Sequence, residues 1–182
     1  MFSWFRRSSL DRDTAVAMVD PRAGNELLVI GAENPRLAAL SAAITGLTGR
    51  TVATGRGADE KRRVEDAAGN AGALVEFVDA PSAMLPFDTG TFDVVVIPAL
   101  GDSPGHQAAP ILAEAVRVAK PAGRIIAIAG ERRAGLFGAL QRREPTLAAD
   151  TILSLFKSAG AIAVRRLAEV DGRGYYEGRK PR

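Results

Sequence analysis

One loop combines the only histidine of the chain with a nearby carboxylate. His106 follows Asp102 in the segment GDSPGHQAAP, just after an apolar run. A histidine titrates near neutral pH, so it can accept a proton during a reaction. We predict His106 and Asp102 as the catalytic base or substrate-contacting pair; the alternative is that His106 is an ordinary solvated side chain. Two other carboxylates, Asp88 and Asp93, border the preceding strand and are predicted to be structural.

A second candidate site is the turn inside LLVIGAENPRLAAL, residues 27–40. Asn34 and Pro35 predict a helix start after the apolar run, since Asn caps free N–H groups and Pro suits the first turn. Such strand–turn–helix units can hold a nucleotide-like ligand against bare backbone. Gly31 is the single glycine in this turn, and Glu33 adds bulk and negative charge. The turn is therefore either an altered ligand loop or a plain connection without a ligand.

A third candidate is Gly55-Arg56-Gly57, which follows a second short apolar run. An arginine at this place can meet the 2′-phosphate of a dinucleotide, but the upstream glycine fingerprint of such sites is missing. A nicotinamide-dependent oxidoreductase is therefore the least favoured hypothesis.

The composition excludes several kinds of chemistry. The 182 residues include no cysteine and one histidine, which excludes disulfides, thiolate nucleophiles and histidine-rich metal sites. The net charge is +3 and the arginines are spread along the chain, so there is no strong nucleic-acid signal. Because no apolar run reaches about 20 residues and no secretion signal is present, we expect a cytoplasmic protein.

Strand and helix patterns alternate along the chain. After a short helix ending near residue 19, the predicted strands are 25–30, 51–54, 73–78, 92–98, 124–129, 162–170 and 174–179, and the predicted helices are 34–45, 58–71, 110–120 and 148–159. Asp171-Gly172 makes the last two strands a hairpin. The pattern predicts an α/β protein with a Rossmann-like seven-stranded sheet, mostly parallel with a C-terminal antiparallel hairpin, and helices on both faces. Residues 1–24 are expected to form an amphipathic N-terminal segment with a short helix, and 25–182 the main domain.

Two segments carry a family resemblance: MLPFDTGTFDVVVI (84–97) and ILAEAVRVAKPAGRIIAI (111–128). The first resembles the "LPF … sFDvVv" segment, and the second the "l.E..RvLkPGGrl.i" helix and fifth strand, of the class I S-adenosylmethionine-dependent methyltransferases. The branch of ubiquinone and menaquinone biosynthesis methyltransferases is the most similar. The order of elements from about residue 25 to 179 agrees as well. The resemblance implies the class I methyltransferase fold and S-adenosylmethionine as cofactor.

The resemblance also implies where that cofactor would lie. The family's glycine-rich first motif aligns on Gly31 and keeps only its first glycine. Its second motif, an acidic residue that grips the ribose hydroxyls, aligns with Gly55. Its third, an Asp near the adenine amino group, aligns with Pro81 and leaves Asp79 as a local substitute. The predicted cofactor-binding residues are Gly31, Ala32, Glu33, Gly55, Arg56, Asp79, Ala80 and Pro98.

Two hypotheses of function follow from these departures. The first is an S-adenosylmethionine-dependent methyltransferase-like protein with an altered cofactor site, which transfers a methyl group to a small, apolar acceptor. The alternative is a non-catalytic binding or scaffolding protein that keeps the fold and has lost the cofactor, because a fold does not by itself determine a function.

Aromatic and basic residues lie together in two further segments. The N-terminal set predicts peripheral contact with a membrane, and it consists of Phe2, Trp4, Phe5, Arg6 and Arg7. Residues 131–143 have a similar pattern. The alternative is that the N-terminal aromatics pack on the sheet edge or on a second copy in a homodimer, and that the second segment is a helix with one buried face.

Overall fold

The computed structural model of the protein describes residues 14–101, 108–130, 147–170 and 172–182. Seven strands within these residues form one sheet in the order β3-β2-β1-β4-β5-β7-β6. The strands are β1 Glu26–Val29, β2 Arg50–Gly55, β3 Glu76–Asp79, β4 Phe92–Ile97, β5 Ala119–Gly130, β6 Ile162–Val170 and β7 Arg173–Arg179. The helices are α1, helical over 14–19 in the described part, α2 Pro35–Thr45, α3 Gly57–Ala71, α4 Ala108–Val118 and α5 Ala149–Ser158.

The pairing of the strands confirms the predicted architecture. β1 pairs in parallel with β2 and β4, and the parallel set continues to β3 on one side and β5 on the other. β7 pairs antiparallel with both β5 and β6, so the last two strands form the predicted hairpin. The strand order reverses between β1 and β4. In such sheets the crevice at the carboxyl ends of the strands beside this reversal is where ligands bind.

Both faces of the sheet are buried under helices, as the continuous apolar strands predict. On one face, residues of β1, β4 and β5 pack with α4 and α5 in a core that includes Leu28, Val95, Ile125, Leu112 and Phe156. On the other face, the alternate residues pack with α1, α2 and α3 in a core that includes Leu27, Ile126, Val19, Leu37 and Val64. The central strands that lead to the candidate site are therefore packed on both faces.

Several boundaries differ from the sequence prediction, most of them by one or two residues. The third strand begins at Glu76 and not at residue 73, because Gly72 ends α3 in a left-handed conformation and Ala73 still bonds back to that helix. The helix predicted over 110–120 ends at Val118, and β5 begins at Ala119 and not at residue 124, because Ala119 already pairs with Phe92 at the start of β4. A local helix cap decides the first of these ends, and strand pairing decides the second.

The segments that carry the family resemblance are joined by one ionic brace. Arg117 donates to the Phe87 carbonyl at 2.7 Å, to the Leu85 carbonyl at 3.0 Å and to the Glu114 carboxylate at 2.7 Å. Glu114 in turn accepts the Leu85 N–H at 2.8 Å. The hydrogen bond from Arg117 holds the pKa of Glu114 below its usual range, against the opposing effect of burial. This brace fixes residues 85–87 on α4.

Asp93 ties three strands together at the amino edge of the sheet. Its carboxylate accepts the Glu26 N–H of β1 and the Lys120 ammonium of β5, each at 2.9 Å. Asp93 thus has the structural contacts predicted for it.

Candidate functional site

The turn after β1 lies at the carboxyl edge, beside the reversal in strand order. The Ile30 N–H donates to the Val96 carbonyl at 2.8 Å, and the Gly31 N–H donates to Thr54 Oγ1 at 3.1 Å. Gly31 has φ +100, a conformation that glycine adopts without strain. These two hydrogen bonds anchor the turn on the neighbouring strands β4 and β2, and Thr54 is fully buried.

Glu33 covers this glycine. A Cβ placed on Gly31 would fall on the Glu33 carboxylate, so that side chain occupies the space directly over the turn. Asn34 then caps α2, as predicted, by accepting the Leu37 N–H at 3.1 Å. Ala32 is only 3% exposed and belongs to the core beneath. The turn therefore presents a negative side chain where the family resemblance implies bare backbone.

Gly55, at the end of β2, lies in a crowded corner. Its carbonyl accepts the Ala80 N–H at 3.0 Å, which joins the end of β2 to the residue after β3. A Cβ on Gly55 would lie 3.1 Å from the Ala32 Cβ and 3.0 Å from the Phe77 ring. It would also lie 2.5 Å from Oε2 of Glu60. A strand residue with a side chain does not fit here unless Glu60 moves.

Glu60 therefore places a carboxylate at the end of β2 although the strand itself supplies none. It lies in the first turn of α3, and its Oε2 accepts the Arg56 N–H at 2.7 Å. A negative charge is stabilising at a helix N-terminus. Its side chain is 34% exposed, and Oε1 is 3.6 Å from the Arg63 guanidinium. Sequence reasoning missed Glu60 because it considered only the strand-end position; an acidic residue in the next helical turn was the available signal.

Asp79 and Arg56 form an exposed pair on the same corner. The Asp79 carboxylate accepts the Gly57 N–H at 3.0 Å and lies 3.5 Å from Arg56 Nε. Both side chains are more than half exposed. The corner thus holds the carboxylates of Glu33, Glu60 and Asp79, which favour a cationic ligand over a phosphate.

The structure brings most of the predicted cofactor residues to one edge. The contacts above join the turn at Gly31–Glu33 with Gly55, Arg56, Asp79 and the buried Ala80. Pro98 is half-buried directly after β4, the strand that pairs with β1. His106 and Asp102 lie outside the described residues, and so do the N-terminal aromatic set and residues 131–143.

Two features are absent from the described part of the chain. A bilayer-spanning helix is absent from it, because none of its helices combines the necessary length with the necessary apolarity. Nor do its His, Asp and Glu residues include a group of three or more that could hold a metal ion.

Solved structures share this fold at low sequence identity. An S-adenosylmethionine-dependent methyltransferase from Aquifex aeolicus superposes with a TM-score of 0.75 at 16% identity, over 93% of this chain and 89% of that one. The YcgJ protein of Bacillus subtilis gives 0.68 at 13% identity, over 94% and 98% of the two chains. The 4+2 cyclase SpnF gives 0.73 at 16% identity, over 98% and 83%. These similarities establish the class I methyltransferase fold.

Sequence comparison gives the family. No curated protein sequence matches the chain significantly. The family profile described as a methyltransferase domain matches residues 32–127, which is more than half of the 182 residues. This range contains the Gly31 turn from Ala32 onward, the Gly55 corner and the brace on α4. With that match, the chain belongs to the methyltransferase domain family, and its strands form the class I methyltransferase fold.

Proposed function

We propose that the protein is a methyltransferase that holds S-adenosylmethionine in the corner between Gly31 and Gly55 through a rearranged set of carboxylates. The observation that carries the proposal is the Glu60 carboxylate beside Gly55. The family's strand-end acid is missing from the sequence, yet its functional group is present in nearly the same space, delivered by α3.

Glu60 has the chemistry that the two ribose hydroxyls need. A carboxylate offers about four lone-pair positions, and Glu60 uses one for the Arg56 N–H. Its side chain is 34% exposed, so the other positions are partly open to solvent, although Oε1 also lies 3.6 Å from the Arg63 guanidinium. Hydroxyl donors can therefore bind Glu60 without breaking the contact that holds its side chain in place.

The other acidic residues suit the remainder of the cofactor. S-adenosylmethionine carries an ammonium and a sulfonium group, and we assign Glu33, over the Gly31 turn, to the ammonium. Asp79 ends β3 and Ala80 follows it, on the side where the family resemblance implies the adenine. A dinucleotide, whose phosphates are negative, would be repelled by these carboxylates, and Arg56 is already paired with Asp79.

The bound cofactor supplies an activated methyl group, while the chain binds it, orients it and excludes water. A base is needed only where the acceptor must lose a proton, and His106 with Asp102 remain our candidates for that role. The resemblance to the quinone-biosynthesis branch supports a small, apolar acceptor of the phenol or quinone class. Contact of Phe2, Trp4 and Phe5 with a membrane surface would bring the protein close to such acceptors.

The test is calorimetric titration of the protein with S-adenosylmethionine and S-adenosylhomocysteine. We expect Glu60→Gln to weaken binding about tenfold, because it removes charge-assisted hydrogen bonds. The matched control is Glu65→Gln on the same helix, whose carboxylate has the exposed Lys61 as its ion-pair partner among the described residues; its affinity should stay within about twofold of wild type.

Three outcomes contradict parts of the proposal. Absence of binding to the wild type up to millimolar cofactor would overturn cofactor binding itself. Equal affinity of Glu60→Gln and wild type would remove Glu60 from the site. Tighter binding by Glu33→Gly would show that Glu33 obstructs the turn and does not pair with the ammonium. If the wild type binds, methyl transfer from labelled cofactor should be screened with phenols and quinones first.

A further inference from the structure

A polar cavity of about 510 Å³ opens at the amino edge of the sheet, opposite the cofactor corner. Asn25, which precedes β1, lines it, whereas Gly31 follows β1, so the two sites lie roughly 20 Å apart along the strand. Its charged lining residues are Asp20, Arg22, Asp93, Lys120, Arg124, Arg165, Glu177 and Arg179.

The inner wall of this cavity is fixed by Arg124. Its guanidinium donates to Glu177 at 2.6 Å and to the carbonyls of Val19 and Met18, at the end of α1, at 2.8 and 3.3 Å. Arg165 donates to the other oxygen of Glu177 at 2.9 Å. Burial alone would raise the pKa of Glu177, but the hydrogen bonds from both arginines outweigh it and lower that pKa, so Glu177 stays ionised.

The cavity nevertheless carries an excess of positive charge. Its lining holds five cations and three carboxylates, which leaves two positive charges without a counterpart. Lys120 is paired with Asp93, and Arg22 with Asp20. The Arg179 guanidinium has no hydrogen bond or ion pair within the described part of the chain. Its backbone pairs with that of Arg124, which keeps the residue at the cavity wall, and the residue is exposed to solvent.

Two residues that line the cavity have a left-handed backbone conformation, which is unfavourable for residues other than glycine. Asp20 and Ala122 have φ of 47 and 63, although neither is glycine. Left-handed backbone costs a non-glycine residue about 1–2 kcal/mol. Such conformations persist where the surrounding structure imposes them, and they are common at ligand sites.

We propose that this cavity binds a small anion of the phosphate class, separately from the cofactor. Its volume lies in the range of about 300–1,000 Å³ that is typical of small-molecule sites. Arginine forks match the geometry of phosphate oxygens, and a phosphate dianion balances the two excess charges. Arg179 supplies donors that no described residue occupies, and Arg22, which pairs with Asp20, belongs to the same lining.

The experiment is calorimetric titration with inorganic phosphate and pyrophosphate at constant ionic strength, with potassium chloride as the reference salt. We expect saturable binding, tighter for pyrophosphate, and at least a tenfold loss of affinity in Arg179→Gln. Arg62→Gln is the matched control, since Arg62 is an exposed arginine on α3 whose ion-pair partner among the described residues is Asp59; its affinity for pyrophosphate should stay within about twofold of wild type. Non-saturable heats, or equal binding by Arg179→Gln and wild type, would overturn the proposal.

A second arm separates the two sites. Saturating the protein with S-adenosylhomocysteine should leave the affinity for pyrophosphate unchanged. Competition between the two would place the anion in the cofactor corner and overturn the proposal. Because the first arm contains no cofactor, failure of the protein to bind S-adenosylmethionine would leave the anion test intact. Because the exposed Arg179 makes no side-chain hydrogen bond or ion pair with the described residues, we expect Arg179→Gln to melt at the temperature of wild type.

Discussion

The brace on α4 and the corner at Gly55 compare differently with the family pattern that the sequence resembles. In the brace, Glu114 and Arg117 stand where that pattern has its glutamate and arginine, and both side chains are hydrogen-bonded. In the corner, Gly55 stands where the resemblance implies a strand-end acid, and a carboxylate comes from the following helix. The family-like motif on α4 therefore shows how the fold is stabilised. The candidate site, in contrast, is recognised only from the side chains that lie close together in the structure.

The difference has a physical cause. The brace binds the main-chain carbonyls of Leu85 and Phe87, so only a long, forked cation on the correct face of α4 satisfies both. The corner requires only that a carboxylate reach a certain volume beside the crevice. Any element that begins nearby can supply it, and α3 begins two residues after Gly55.

Removing the brace should have the largest effect on stability. We expect Arg117→Met to lower the free energy of unfolding by about 3 kcal/mol, because it strips the partly buried Glu114 of its cation and two carbonyls of their donor. Urea denaturation measures this loss, with Arg62→Met expected within about 0.5 kcal/mol of wild type.

The contribution of the brace should also depend on pH. Since the pKa of Glu114 is lowered on folding, its stabilising contribution is present above the unfolded pKa of about 4.3. That contribution is lost as the pH falls through the lower folded pKa, so the difference between variant and wild type should shrink in acid. A loss that is the same at neutral and acid pH would contradict this account of the brace.

Returning the acid to the strand should have an intermediate effect. In Gly55→Asp the new Cβ meets Oε2 of Glu60, so we expect a loss of about 1–2 kcal/mol from steric and like-charge repulsion. Adding Glu60→Ala should recover much of that loss, as a double-mutant cycle would show. The double variant should also bind S-adenosylmethionine more tightly than Glu60→Ala alone. Strictly additive effects on stability would mean that the two positions do not share one space.

The smallest effect concerns the one glycine that the brace segment lacks. Ala122 stands where the family pattern "kPGG" has its first glycine, and it is held at φ +63. We expect Ala122→Gly to raise the free energy of unfolding by about 0.5–1 kcal/mol, since relief of left-handed strain exceeds the entropy that glycine adds to the unfolded chain. Thermal denaturation would detect this as a rise of a few degrees in Tm. A lower Tm would show that the neighbouring structure imposes no strain at this position.

The sequence determined the elements and their order. The apolar runs of β1, β4 and β5 can only be buried under helices on both faces, and the Asp171-Gly172 signal predicted the hairpin whose two strands the structure pairs. The two family-like segments predicted the fold through their resemblance to the family, and in the structure they contain the residues of the brace. What failed was limited to element ends such as Val118, where the pairing of Ala119 with Phe92 competes with helix propensity.

Only the tertiary structure decided what surrounds the site. No local rule places the Glu60 carboxylate against Gly55, because that contact depends on how α3 leaves β2 and on the packing of Ala32 and Phe77 around the glycine. The same holds for the cavity at the amino edge, where Arg22, Lys120, Arg165 and Arg179 come from four separate parts of the chain. Hydrophobic periodicity is a local pattern and can therefore be recognised in the sequence. Contacts between charged residues of distant segments arise only when the sheet has folded.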